Sequence, residues 1–350
     1  MHTLIAMSGG VDSAVTARLI LSAGHTAEGC TLHLTQEENE RKTGSAEDVA
    51  RARESAAVLG IPHRLLDLSE EFCRAVVLPF CEDYLRGVTP NPCILCNQRI
   101  KLGWLYDYAR REGFDCLATG HYARIEVQEG QYRLKKARDP EKDQSYVLYR
   151  LREEQLAHLA FPLGELTKAE VRAMAAAAGL VAAAGAKESQ DICFVPSGRY
   201  TELVERVTGR TSPEGNYVDR DGCVLGRHRG IAHYTLGQHK GLGIALGRVR
   251  YVTAIDPVRN EVTLGDEEDL FTDTVRLPDM HYIGKRPTAP YRATAKLRYR
   301  QREEAVTVYP DGDGARLVFD RPQRAPTVGQ SAVVYEGDYV LGGGIIGKEE

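Results

Sequence analysis

The chain has 350 residues, 43% hydrophobic and 27% charged, with a formal net charge of −4. That is ordinary for a globular protein and long enough for two or three domains around a substantial core. No apolar run is long enough to span a bilayer, and the acidic balance excludes a basic coat over the whole surface while leaving room for a local basic face.

The first residues lead directly into a strand-like run. No signal peptide is therefore expected, and the location read from the sequence is cytoplasmic. Eight cysteines at irregular spacings fit free thiols or a bound metal in a reducing compartment better than a disulfide framework. Thr3-Leu4-Ile5-Ala6 reads as a strand, and Val15 to Leu21 as a helix. Between them lies Met7-Ser8-Gly9-Gly10-Val11-Asp12-Ser13. Two glycines allow a sharp turn and a close approach to a bound group. The free N–H groups opening the helix favour an anion there. Ser8 and Ser13 add hydroxyl donors, and Asp12 can help hold a metal ion on the phosphates. No Gly-Lys-Ser/Thr follows, so this is not a Walker loop.

Gly24 reads as the helix C-cap, followed by a strand over Thr26–Leu34 and a polar loop over Thr35–Gly44. A helix over Ala46–Leu59, a strand over His63–Leu68 and a helix over Glu70–Arg86, kinked near Pro79, come next. This alternation predicts an α/β unit with an open parallel sheet. The turn Thr89-Pro90-Asn91-Pro92-Cys93-Ile94-Leu95-Cys96-Asn97 precedes a predicted helix over Gln98–Glu112. Cys93 and Cys96 then sit at a helix N-terminus, which lowers a thiol pKa. Taken alone the pair is ambiguous between half-buried small residues and a reactive site. Zinc is disfavoured because no second pair at suitable spacing completes four ligands. A thioredoxin-like site fits the flanking Pro-Asn-Pro poorly.

Asp115–Ala118 reads as a buried strand ending in Thr119-Gly120-His121-Tyr122, at the edge where parallel sheets bind ligands. A hairpin over Ile125–Lys136 and a polar loop over Asp139–Tyr146 follow. Thr167-Lys168-Ala169-Glu170 is a capping box opening a helix to Ala178. Lys187–Val195 holds Cys193 in a polar, strand-like stretch, whereas Cys30, Cys73, Cys81, Cys116 and Cys223 read as small buried hydrophobes. From about Tyr200 helical periodicity is expected to give way to short β runs, ending in an all-β module from about Thr274. In that module Arg292, Lys296, Arg298, Arg300 and Arg302 alternate along a strand-like segment. Residues 227–302 hold 14 Lys/Arg against 8 Asp/Glu, which points to a polyanionic partner on that face.

The Ser-Gly-Gly-x-Asp-Ser loop resembles the PP-loop of ATP pyrophosphatases. The whole chain resembles the bacterial tRNA-specific 2-thiouridylases. The resemblance rests on Ser8–Ser13, Thr89–Asn97, Thr119–His121, Lys142-Asp143-Gln144, Ser189-Gln-Asp-Ile-Cys-Phe194, Tyr234-Thr-Leu-Gly-Gln238 and Leu297-Arg-Tyr-Arg-Gln301, in that order. It implies a PP-loop ATP-binding catalytic domain over residues 1–198, a central tRNA-binding linker domain over 199–270 and a C-terminal β-barrel over 271–350.

The resemblance also implies ATP with magnesium across Ala6–Ser13 (Ala6, Met7, Ser8, Gly9, Gly10, Val11, Asp12 and Ser13), with Leu32 and Gly120 lining the nucleotide site. It implies adenylation of O2 of the tRNA wobble uridine. Cys193 would carry a persulfide from a cysteine desulfurase or sulfur-relay partner, with Cys96 as its catalytic partner and a Cys96–Cys193 disulfide as the resolved state. Asn91, Pro92 and Cys93 match positions beside the target base. His121, Lys142, Asp143, Gln144, Arg298, Tyr299 and Gln330 match tRNA-contacting positions. An unpaired base can be splayed out and read in a pocket.

One departure is chemical: the family usually has Asp where this chain has Cys93. Cys93, Cys96 and Cys193 would form a three-thiolate set suited to a [4Fe–4S] cluster with one open iron, an alternative sulfur route. A second departure is the loop after Leu32, which lacks an aromatic residue the family often shows. The rival readings are another PP-loop enzyme, which would not share the cysteine motifs and β module, and an RNA-binding or iron–sulfur sensor without catalysis.

Overall fold

The computed structural model describes residues 1–35, 45–180, 192–195 and 200–348. The first unit runs β1 (His2–Ala6), α1 (Val11–Ser22), β2 (Thr26–His33), α2 (Ala46–Leu59), β3 (His63–Asp67), α3 (Ser69–Phe72), α4 (Leu78–Leu85), α5 (Pro92–Cys96), α6 (Leu105–Arg111), β4 (Cys116–Ala118), β5 (Ala123–Gln128), β6 (Gln131–Lys136), α7 (Glu153–Leu156), β7 (Leu159–Ala160) and α8 (Lys168–Ala177). Five strands pair in parallel in the order β3-β2-β1-β4-β7. Leu4 and Ile5 are fully buried, as a central strand covered by helices on both faces requires. Among the described residues no helix is long and apolar enough to cross a membrane.

Local signals set the helix ends. Ser45 and Asp48 form a capping box on α2, and Gly60 closes it in the left-handed region. Thr167 and Glu170 do the same at the start of α8. The kink expected near Pro79 is a π-turn, Cys73–Val77, joining α3 to α4. A second π-turn, Asn97–Trp104, joins α5 to α6. The helix expected from Gln98 therefore begins at Pro92, because proline suits the first helical position, where no N–H partner is needed.

The expectation that helix ends at about Tyr200 is corrected. Tyr200–Thr208 is a helix, α9, laid on α4 with Tyr200 stacked on Tyr84 at 4.2 Å. Leu203 and Val204 carry its buried face. Only then does the chain turn to strands. β8 (Gly215–Val218), β9 (Val224–His228), β10 (Tyr251–Asp256) and β11 (Glu261–Gly265) pair in the order β10-β11-β8-β9 around Tyr217, Tyr234, Val252, Val262 and Leu264.

The last unit comprises β12 (Phe271–Leu277), β13 (Met280–Tyr282), β14 (Tyr291–Lys296), β15 (Glu304–Asp311), β16 (Gly314–Arg324), β17 (Ser331–Glu336) and β18 (Tyr339–Ile345). Its sheet order is β12-β16-β15-β14-β17-β18-β6-β5, so the β5–β6 hairpin of the first unit extends the C-terminal sheet. One apolar cluster accordingly mixes Leu4, Leu117 and Tyr146 with Val333, Tyr335 and Val340. The basic alternation read over Arg292–Arg302 ends early: β14 stops at Lys296, and Arg292 pairs with Asp320 at 2.6 Å. Cys223 is also corrected: it is exposed, in the turn between β8 and β9.

Candidate active site

The nucleotide loop sits where β1 ends. Met7 N donates to Cys30 O at 2.7 Å, and Thr31 Oγ1 donates to Met7 O at 2.7 Å, so β2 holds the strand exit. Gly9 has φ +76°, and a side chain there would run into the Asp48 carbonyl at the start of α2. The loop is thus pressed against a helix N-terminus, and Arg51 Nε reaches Gly9 O at 3.3 Å. Ser13 Oγ accepts from Ser8 N at 3.1 Å and donates to Gly10 O at 3.0 Å, which fixes the turn. Ala6 and Val11 flank it, half-buried. Gly120, just beyond β4, lies against the same loop: a Cβ there would come within 3.2 Å of Asp12 Cβ and Ser13 N. Leu32 is half-buried at the end of β2, against both large apolar clusters. A cradle of backbone, two hydroxyls and a carboxylate at a helix start fits a polyphosphate with its metal ion.

Asp12 does not stand alone. Lys168 Nζ lies 2.7 and 2.8 Å from its two carboxylate oxygens, and Tyr122 OH donates to Oδ1 at 2.8 Å. Lys168 is 7% exposed, held by the capped start of α8. The cation that the loop's own sequence lacks therefore arrives from a residue 156 positions away. Sequence reasoning read Thr167–Glu170 only as a cap and missed it.

The second half of the site is sulfur. Cys96 is buried in the cluster of Phe72, Phe80, Phe194 and Val195, while Cys93 faces solvent at the helix start. Cys193 is packed against the same cluster and is positioned by its neighbour Phe194, whose ring sits edge-on to Phe72 at 5.5 Å and Phe80 at 5.2 Å. Ser189, Gln190 and Asp191 of that motif lie outside the described residues. The expected low thiol pKa is corrected. Burial pushes Cys96 from 9.0 up to about 12, outweighing a helix N-terminus, and the protein crowded around the solvent-facing Cys93 raises that thiol too.

One cation opposes this. Lys101 lowers both thiols, and although burial pulls it down, Cys96, Cys193 and Cys93 together raise its own pKa. At about 100° per residue an α-helix would put Lys101 roughly 140° away from Cys96. The π-turn, whose bonds run from i to i+5, brings it round to the thiol side. Lys101 also faces His121. That ring is 9% exposed, bonded at Nδ1 to Thr119 Oγ1 at 2.7 Å, and depressed to about 3 by burial and then by Lys101. It is neutral throughout the physiological range.

The remaining expected RNA contacts divide into two groups. Tyr299 is 38% exposed and edge-on to Tyr146 at 5.9 Å; burial raises its hydroxyl, with Cys93 among the groups it faces. Lys142 is half-buried and Asn91 and Pro92 open α5. Asp143 is buried, accepting from Ala137 N at 3.0 Å and Ser145 Oγ at 2.8 Å. Gln144 pairs both ways with the Tyr122 backbone, at 2.8 and 2.9 Å. Arg298 Nη2 donates to Ala325 O at 2.6 Å, and Gln330 Nε2 to Thr89 O at 2.8 Å. These last four brace the protein itself. Among the described residues no three His, Cys, Asp or Glu side chains gather as metal ligands. Cys93, Cys96 and Cys193 share a neighbourhood with one ammonium, that of Lys101.

Three family models match this chain. Residues 1–197 match one described as a tRNA methyl transferase HUP domain, 203–266 a tRNA methyl transferase PRC-barrel domain, and 272–346 an aminomethyltransferase beta-barrel domain. Among full-length relatives, the tRNA-specific 2-thiouridylase MnmA of Desulforudis audaxviator is 48% identical, covering 98% of this chain and 97% of the relative. The Moorella thermoacetica protein of that name is 47% identical, covering 98% of each. A PP-loop strand exit, paired cysteines on a neighbouring helix and two β units in this order, at that identity over nearly the whole length, place the chain in the tRNA-specific 2-thiouridylase family.

Proposed function

We propose that the chain is an ATP-dependent tRNA-uridine 2-sulfurtransferase acting on the wobble uridine. The observation that carries this is the meeting of two chemistries at one sheet edge. Gly120 touches the phosphate loop, and His121, the next residue, faces the Lys101–thiol group. A base held there can be activated on one side and receive sulfur on the other.

ATP lies across Ala6–Ser13, its adenine toward Leu32 and Gly120. Asp12 helps hold magnesium, which supplies charge neutralisation on the phosphates. Lys168 then exchanges Asp12 for phosphate oxygen. Uridine O2 attacks the α-phosphorus, the α–β bond breaks, and pyrophosphate leaves as the base gives up its N3 proton. The terminal sulfur of a Cys193 persulfide, loaded by a cysteine desulfurase or sulfur-relay protein, attacks C2, and AMP leaves with the oxygen. The Cys96 thiolate then attacks the Cys193 sulfur. The S–S bond breaks toward the base, which takes back a proton as 2-thiouridine. A Cys96–Cys193 disulfide remains for a thiol reductant to reopen. Neutral His121 can hydrogen-bond the base without carrying charge. Asn91, Pro92, Cys93 and Tyr299 border the base, and Lys142 extends toward the RNA.

The test is nucleoside mass spectrometry of tRNA from cells lacking the gene, with add-back of purified protein, ATP and a persulfide donor. Loss and return of 2-thiouridine derivatives, with 4-thiouridine unchanged, is the expected result. Two of the matched domain families are described by methyl transfer. Loss of a methylated nucleoside instead would overturn the reading.

A further inference from the structure

Pro90 and Pro92 deprive the cysteine turn of two backbone donors, so it has few means of fixing itself. Its position is set from outside. Gln330 Nε2 donates to Thr89 O at 2.8 Å and to Pro90 O at 3.2 Å. Thr89 N donates to Val328 O at 3.1 Å. Thr89 Oγ1 reaches Thr235 Oγ1 of the central unit at 3.4 Å. All three units meet at Thr89, four residues before Cys93.

The mount for Gln330 is rigid. Its N–H donates to Thr327 O at 3.0 Å, and its carbonyl accepts from Ile346 N at 2.8 Å. The next residue, Ser331, is held by Tyr146 OH on its carbonyl at 2.7 Å and by Tyr149 OH at its hydroxyl, 3.1 Å away. Arg298 fastens the start of the same loop through Ala325 O. Gly329, at φ +92°, lies so close that a Cβ would meet the Val88 side chain and come 2.9 Å from Thr89 O.

We propose that Gln330 is a positioning residue: the C-terminal sheet, through Gln330 and the Val328 carbonyl, sets the Asn91–Cys93 turn and hence Cys96 against the substrate base. The amide group that the family resemblance assigns to RNA is engaged on the two carbonyls before the cysteine turn. A barrel docked on tRNA is by this route mechanically continuous with the thiols. The inference rests on Cys96 acting on the base, and the first measurement below is independent of that reading.

Gln330→Met keeps the side chain's length, adds no charge and removes the donor. In the tRNA-free protein, amide exchange at Thr89 should quicken several-fold, because the Thr89–Val328 bond loses its neighbour. In turnover, kcat should fall about ten- to a hundredfold, the scale of a small misplacement at a reacting centre, with KM for tRNA unchanged. Gly329→Ala is the second variant. It leaves the Gln330 side chain in place but pushes on Val88 and Thr89, and it should show the same fall in kcat. Thermal unfolding of each variant checks the fold. A raised KM for tRNA with kcat retained would make Gln330 an RNA contact and overturn the proposal. Unchanged Thr89 exchange would overturn it as well, whatever reaction the enzyme performs.

Discussion

The phosphate side and the sulfur side of this site are built differently. The phosphate side is one contiguous loop, Ala6–Ser13, between a buried strand and a helix start. The sulfur side draws Cys93 and Cys96 from one helix, Cys193 from a segment about a hundred residues on, and its brace from Gln330. Each side imports a lysine from outside its own motif, Lys168 for the loop and Lys101 for the thiols. The lesson is that a backbone-built anion site is local, because consecutive N–H groups make it, whereas a thiol site must be assembled by packing.

If the two sides are separable, removing one should spare the other. The largest effect is expected for Cys96→Ser, which ends 2-thiouridine formation while tRNA-dependent pyrophosphate release from ATP continues. Loss of both activities together would show that the sulfur side also shapes adenylation. Lys168→Met strikes the opposite half. It removes the ion-pair partner of Asp12 beside the loop, and should lower kcat/KM for ATP by roughly 10²-fold, the size typical of a preorganised charge lost from a reacting centre. The alkylation rate of Cys96 should stay as it was.

Lys101→Met is the smaller, sharper counterpart. Without the ammonium, the Cys96 thiol rises further above its already raised value. Each unit of rise cuts the thiolate fraction about tenfold, and greater intrinsic nucleophilicity returns about half of that on a logarithmic scale. Alkylation of Cys96 at fixed pH should then slow about threefold per unit, and Lys101→Arg should restore it. An unchanged rate in Lys101→Met would mean that Lys101 faces the thiols without acting on them.

The same contrast explains what could be read in advance. Alternating apolar runs and caps made the parallel sheet, α2 and α8 legible, since each signal is local. The hairpin after β4 was legible as a hairpin, but its pairing with β18 was not, because edge pairing depends on Tyr339 meeting Lys135 across the chain. The helix at Tyr200–Thr208 was missed although Tyr200, Leu203, Val204 and Val207 repeat at helical spacing. The β-rich composition beyond it dominated the reading. The environment expected for Cys96 was misjudged: a helix start lowers a thiol's pKa only while water remains nearby, and burial decides here. Lys101 was invisible because a five-residue spacing is meaningful only once the π-turn is known. Asp143, Gln144, Arg298 and Gln330 were singled out as RNA contacts, and in the structure they hold loops.

His121 lies between the two halves and gives the finest test of their separation. Its ring is held neutral: burial and Lys101 depress its pKa from 6.5 to about 3. The unfolded chain therefore binds a proton at this ring from pH 6.5 downward that the folded protein refuses until about pH 3. The stability this contributes is complete above 6.5 and is lost as pH falls toward 3. His121→Asn removes the titration while keeping a polar group beside Thr119. Proton uptake on unfolding, measured from the pH dependence of denaturant midpoints in that window, should fall by about one proton relative to the parent. Because a neutral ring needs no titration to hydrogen-bond a base, thiolation by the parent enzyme should show no step near pH 6.5. A step there that His121→Asn abolishes would mean the ring is charged in the working site, and that tRNA binding opens the cleft to water.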